Sequence, residues 1–358
     1  MDYENFKESF MEDVKAGLAE KGFEDVKIKV NQIDKLNDSY EAITITPAES
    51  NIGVTTNLES FFKAVEEGTP YETVVSKAVD VAANGLDNVP IVDVNSLTDY
   101  DQMKDKLAME VVSTKTNEDL LSNVPHIEME DLSVVYRFVL DSSEDGRASI
   151  LATNNMIEAM GVTPEQLHAD AVENAPQIKP AVITGMSEVM VQMVGREQAE
   201  LMGLYPVEPE NEQMFVATVP DKIHGAGILA YENFMDQAAE RAGGDFYILP
   251  SSIHELLIVP DNGQMSLRDL EAMVQEVNAT QVSPQDKLTD SVYHYDSKDK
   301  VFELGEKFVE RQAEKSAEKA EAKDSVLGEL VAKKDEVAKA PKKETKEKAA
   351  KSKGGEAI

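Results

Sequence analysis

DFYILPSSIHELLIVP, residues 245–260, sets two apolar runs, FYIL and LLIV, on either side of a proline, two serines, a histidine and a glutamate. Short β-rich runs interrupted by proline and serine read as strand, turn and second strand. The same residue types in that order also raise a Ser–His–acid site, with Ser251, Ser252, His254 and Glu255 as its candidates. Such a site needs the histidine held between a serine hydroxyl and an orienting carboxylate. An extended chain from Ser252 to Val259 puts Ser252 and His254 on one face and Glu255 on the other, so Glu255 does not orient that ring. The structural reading, a turn with hydrogen-bonded polar side chains, is therefore preferred over the catalytic one.

Working outward, residues 214–277 read as MFVATVP and GILAY strands, a helix from about Glu232 to Arg241, the FYIL and ELLIV strands, and a helix capped by Ser266 and Asp269. Two earlier stretches follow a related plan. DVKIKVNQI and YEAITITP, joined by the polar DKLNDS, predict a hairpin with a longer loop. A helix capped by Thr56 and Glu59 follows, ended by Gly68. Thr69, Pro70 and Glu72 then open another, closed by Gly85. LSVVYRFVL and ASILA around DSSEDGR predict a second hairpin, followed by a short helix stopped at Gly161 and another opened by Thr163, Pro164 and Gln166. Before all of these, Tyr3, Phe6, Phe10, Val14 and Leu18 form one side of an amphipathic helix. Repeated hairpin-plus-helix units of this kind define an α+β class with mainly antiparallel sheets.

PAVITGMSEVMVQMVGREQAELMGLYP, residues 180–206, is rich in methionine. Flexible thioethers fill irregular core gaps or line adaptable grooves, and core is the expectation taken here. From Val301 an Ala/Glu/Lys-rich stretch predicts a solvated helix to about Lys334, then a disordered tail.

Composition narrows the chemistry. Without cysteine there is no disulfide, thiolate nucleophile or cysteine-ligated metal, and a reducing cytoplasm is the simplest setting. Neither a signal sequence nor a transmembrane run of apolar residues is present, so no membrane association is expected. The net charge of −33 is uneven: residues 311–358 hold 13 basic and 10 acidic groups, leaving 22 basic and 58 acidic groups elsewhere. A body that acidic repels phosphate backbones, which argues against direct nucleic-acid binding.

Other motifs are explained more simply than by catalysis. HGAGILA, from His224, carries a G-x-G-x-x-A spacing with Asp245 further on. A dinucleotide site needs a strand before those glycines and a helix opening on them, whereas a strand is expected after them, so close backbone approach explains them better. Glu165 and His168 have the i, i+3 spacing of di-iron helices, but that site needs a second copy and two more glutamates. His126, His168, His224, His254 and His294 are scattered, and there is no P-loop or nucleophile elbow. No cofactor and no metal are expected.

FYILPSSIHELLIVP, HGAGILAYENFMDQAAERAGGD before it and SLRDLEAMVQEVNATQVSPQDKLTDSVYHYD after it together resemble a bacterial family of unknown function, numbered 5688. NDSYEAITITP and GVTPEQLHADAVEN carry the resemblance toward the N-terminus, so that it spans roughly residues 1–300. It implies an origin among gram-positive gut bacteria, often with mobile elements, and it carries over no catalytic residue. It makes Leu249 to Glu255 the family's landmark.

The expected organisation is an N-terminal α+β region to residue 125, a C-terminal α+β region over 126–300 and a charged tail over 301–358. The expected function is a non-catalytic, cytoplasmic interaction or binding protein with a protein partner. One alternative is an acidic DNA mimic that inhibits a nucleic-acid-handling enzyme, motivated by the charge. The other is a hydrolase centred on Ser251, Ser252 and His254.

Overall fold

The computed structural model describes residues 2–48, 53–87, 96–143 and 146–318. Helix α1 (Tyr3–Glu20) begins on Asp2, whose side chain accepts from the Asn5 backbone N–H. Phe6, Phe10, Val14 and Leu18 on this helix are fully buried, as their spacing predicts. Strands β1 (Val26–Lys35) and β2 (Asp38–Pro47) pair antiparallel from Val26↔Pro47 to Lys35↔Asp38. That register leaves a turn of two residues, Leu36 and Asn37, and not the longer loop expected. Asn37 adopts φ 58, a conformation asparagine tolerates better than most residues. Strand β3 (Val54–Asn57) completes a three-stranded sheet on the other edge of β2.

Two helices cover this sheet with α1. In α2 (Leu58–Glu66) the cap is Asn57, which accepts from the Ser60 N–H, and not the expected Thr56. Glu59 instead accepts from the backbone of Glu41. Helix α3 (Tyr71–Asp87) runs through Gly85, where a Cβ would lie 2.8 Å from the Val54 side chain. Gly85 thus permits close packing and does not end the helix. Phe6, Phe10, Ile43, Ile45, Leu58, Val74 and Ala78 share this first core.

A second core begins at α4 (Tyr100–Met103) and β4 (Leu107–Ser113). After α5 (Glu118–Leu121) come β5 (His126–Met129), β6 (Leu132–Ser143) and β7 (Gly146–Leu151). Strand β6 pairs with β4, β5 and β7, so this sheet spans residue 125, the expected regional boundary. The expected DSSEDGR turn falls partly on residues 144 and 145, outside the described residues. Helix α6 (Asn154–Met160) ends on left-handed Gly161, and α7 (Pro164–Ile178) is capped by Thr163, as read from the sequence.

The third sheet takes its edge from β8 (Val182–Gly185), followed by α8 (Met186–Val194), α9 (Arg196–Met202) and β9 (Phe215–Thr218). Residues Gly225–Ala230 form a 3₁₀ turn where a GILAY strand was expected. Helix α10 (Phe234–Ala242), β10 (Phe246–Leu249), β11 (Leu256–Pro260), α11 (Leu267–Thr280), β12 (Tyr293–Asp296) and β13 (Val301–Leu304) complete it. The order is β13-β12-β10-β11-β9-β8, with every pair antiparallel. One core cluster, from Met103 to Tyr295, fills the space between these two sheets and their helices.

The chain is therefore α+β with antiparallel sheets. The described residues up to Gly305 form one compact unit, and residues 306–318 belong to another. Within the latter, helix continues through residue 318. The remainder of the predicted helix and the predicted disordered tail lie outside the described residues.

Candidate functional site

The opening stretch folds as strand, loop and strand, with Leu249↔Leu257 the last pair before the loop. Extended structure begins at Leu256, one residue after the start of the expected ELLIV strand, and the two serines lie in the loop as expected. The loop is fastened by residues 286–288: the Ile253 N–H donates to the Asp286 carbonyl, and the Leu288 N–H donates to that of Ser251. Ser251 is buried, and the Ser252 hydroxyl accepts from the His254 N–H two residues on. Glu255 is exposed.

His254 does not face a serine nucleophile. Its Nδ1 accepts from the His224 backbone N–H at 3.2 Å, which leaves the proton on Nε2, 3.2 Å from Asp286 Oδ1. Both ring nitrogens are thereby engaged, by groups 30 and 32 residues away. Asp286, an orienting acid, gave no local signal; the loop pairing alone brings it beside the ring.

HGAG and SIHE, separate motifs in the sequence, lie against each other. The Ala226 N–H donates to the Ile253 carbonyl and the Thr218 hydroxyl to the His254 carbonyl. A Cβ on Gly225 would sit 2.2 Å from the His254 oxygen, and one on Gly227 2.1 Å from that of Met109. Close backbone approach thus accounts for both glycines. Asp245, the distant acid of the rejected dinucleotide pattern, accepts from the N–H and hydroxyl of Ser297.

His224 itself has left-handed backbone, φ 53. Its ring stands 5.6 Å from that of His254, centre to centre. Behind it Glu110 is 2% exposed and accepts from Arg137 Nε at 2.6 Å. His224 Nδ1 is 3.8 Å from the same carboxylate oxygen, beyond hydrogen-bond reach, and it and Glu110 Oε2 are buried without partners. Burial pushes the His224 imidazole below the usual histidine range; Arg137, Lys179 and His254 act in the same sense and Glu110 opposes them. Arg137, His224, His254 and Asp286 all open on a cleft of about 520 Å³, whose far wall comes from Lys35, Asp38 and Tyr40 at the β1–β2 turn.

Elsewhere the histidines are bonded structurally. His168 Nδ1 meets the Tyr136 hydroxyl, His126 Nδ1 the Val124 carbonyl, and His294 Nε2 lies 3.1 Å from Asp261. Glu165 is exposed. Among the described residues, no group of three or more His, Asp or Glu side chains is placed to hold a metal ion.

The methionine-rich segment corrects an expectation. Helix α8, MSEVMVQMV, has no buried residue, and in α9 only Ala199 is buried. Met193 is 80% exposed and Leu201 89% exposed, with Met190, Val194, Met202, Tyr205 and Val207 also on the surface. This is not core. The pair is nonetheless anchored: buried Glu212 accepts from the Ser187 hydroxyl at 2.6 Å, and Ser187 in turn accepts from the Val207 N–H. Glu188, Glu197, Glu200, Glu208 and Glu210, interspersed with the apolar residues in sequence, are exposed, as is Arg196.

A family model described as "Family of unknown function (DUF5688)" matches residues 3–297. The chain belongs to that family. The DUF5688 match includes the cleft and the methionine-bearing helices, so both surfaces are part of the family region. No curated protein and no solved structure matches the chain. Among the described residues, no helix is long and apolar enough to cross a membrane.

Proposed function

We propose that this protein acts by binding another protein, and that α8 and α9 are its docking surface. One observation carries this reading: a strongly apolar helix, α8, none of whose side chains is fully buried and which is held in place by the Ser187–Glu212 hydrogen bonds. Contiguous exposed apolar surface rimmed by polar groups marks interaction sites, and methionine suits surfaces that adapt to their partner.

Charge selects the occupant. Residues 186–210 carry five exposed glutamates against one base, Arg196, and the chain outside the last 48 residues holds 58 acidic against 22 basic groups. A second copy would bring like charge to the same face, which is unfavourable. The partner that fits is a basic amphipathic segment, its apolar side on the methionines and its lysines or arginines on the rim.

A fluorescent amphipathic Leu/Lys peptide titrated onto the full chain tests this. Met193→Glu with Leu201→Glu makes the protein still more acidic, so diffuse charge attraction would strengthen while docking weakens. The expected result is at least a tenfold loss of affinity in the double variant, with no binding of a Leu/Glu peptide. Equal or tighter binding by the variant overturns the docking surface. Dimers of the wild-type chain that dissociate in the variant would assign the surface to self-association instead.

A further inference from the structure

We propose a second, independent site: the cleft between the β1–β2 turn and the His224 and His254 loops binds a small molecule through its phosphate or carboxylate group. The polar groups lining the cleft are unequally used. Each acid on its wall has a partner. Asp38 accepts from the Gln285 side chain, and Asp286 from His254 and the Ser283 hydroxyl. The donors are less fully used. Arg137 commits Nε to Glu110 but reaches Ser149 from Nη1 only at 3.4 Å, the long limit for a hydrogen bond. Lys35 has no ion pair among the described residues; its Nζ lies 5.3 Å above the Tyr40 ring. A surplus of donors over acceptors matches an acceptor-rich anion, and a guanidinium suits the planar geometry of such groups.

The surroundings are those of a built site. Glu110 holds Arg137 from behind, and buried unpartnered atoms remain on both Glu110 and His224. Buried polar groups are rarely left unbonded, and those that are tend to mark a strained or functional place. Left-handed backbone at His224, a non-glycine residue, is a second departure of that kind at the same position. The cleft's volume, about 520 Å³, lies within the range of small-molecule sites. Against the repulsion of an acidic body, affinity for an anion must come from these local donors and not from the overall field.

Histidine ring resonances of the full chain provide the test, because only His224 and His254 among its five histidines line the cleft. Phenyl phosphate, inorganic phosphate and benzoate are titrated separately at matched ionic strength. The expected result is saturable movement of the His224 and His254 signals, with His126, His168 and His294 unmoved. The stronger of phenyl phosphate and benzoate identifies the preferred anion, and inorganic phosphate reports whether the organic group contributes. Arg137→Gln is expected to weaken binding at least tenfold. Because Arg137 is paired with a buried carboxylate, Lys35→Gln, at an exposed position, serves as the variant certain to test binding apart from folding, with a several-fold loss expected. Unmoved signals with all three anions, or wild-type affinity in Lys35→Gln and Arg137→Gln, overturn the proposal.

Discussion

At Gly227 a single hydrogen decides whether the 3₁₀ turn can meet strand β4. Its α-carbon faces the Met109 carbonyl so closely that a methyl group would sit 2.1 Å from that oxygen. Backbone atoms cannot yield as a flexible side chain would. Gly227→Ala should therefore lower stability by roughly 1–3 kcal/mol, the usual cost of overpacking. Urea unfolding followed by circular dichroism checks this, and an unchanged midpoint would contradict it. The glycines of HGAG were legible as a close approach, but what they approach was not. Periodicity reports which side of an element is apolar and is silent on pairings between residues 30 or more apart. For the same reason Asp286 escaped notice, although it, and not the adjacent Glu255, meets the His254 ring.

Helices with a single buried stripe were read well, and α8 was not. Phe6, Phe10, Val14 and Leu18 recur at the helical repeat and are fully buried in α1. Thr163 and Ser266 cap α7 and α11 because their side chains accept from backbone groups three residues on, a local interaction that local sequence specifies. Helix α8 is apolar over more than half of its circumference, with only Ser187, Glu188 and Gln192 polar, a pattern close to that of buried helices. Composition cannot distinguish a helix buried in its own core from one awaiting a partner. The β1–β2 turn was missed for a different reason: Leu36–Asn37 lacks glycine, yet Asn37 bonds the side chain of Asn117 and the carbonyls of Gln285 and Lys287, tertiary contacts that hold a tight turn. Met193→Glu with Leu201→Glu, both at exposed positions, should leave stability within about 0.5 kcal/mol of wild type in thermal unfolding, as exposed substitutions do. A marked loss of stability would show that these side chains are packed in the free protein.

Across the whole molecule, buried histidines tie stability to pH. Burial lowers the imidazoles of His168, His224 and His294 below the ordinary value of 6.5. The folded chain therefore binds fewer protons at these positions than the unfolded chain once the pH falls below 6.5. Stability due to these groups is present above that pH and declines as pH falls toward their folded values. Thermal unfolding between pH 7.5 and 5.5 should show a falling midpoint; a flat or rising profile would contradict the burial of these rings. Salt bears on the same acidic molecule by screening its self-repulsion, so the titration is read at constant ionic strength.

The methyl resonances of the 15 methionines separate docking at α8 and α9 from nonspecific association, since Met190, Met193 and Met202 lie on the proposed docking surface and Met103 and Met109 are buried in the second core. Adding a basic amphipathic peptide to the full chain should shift the signals of the first three, saturably, and leave the two core signals in place. Shifts spread over exposed and buried methyls alike, or none on α8 and α9, would contradict docking at this surface.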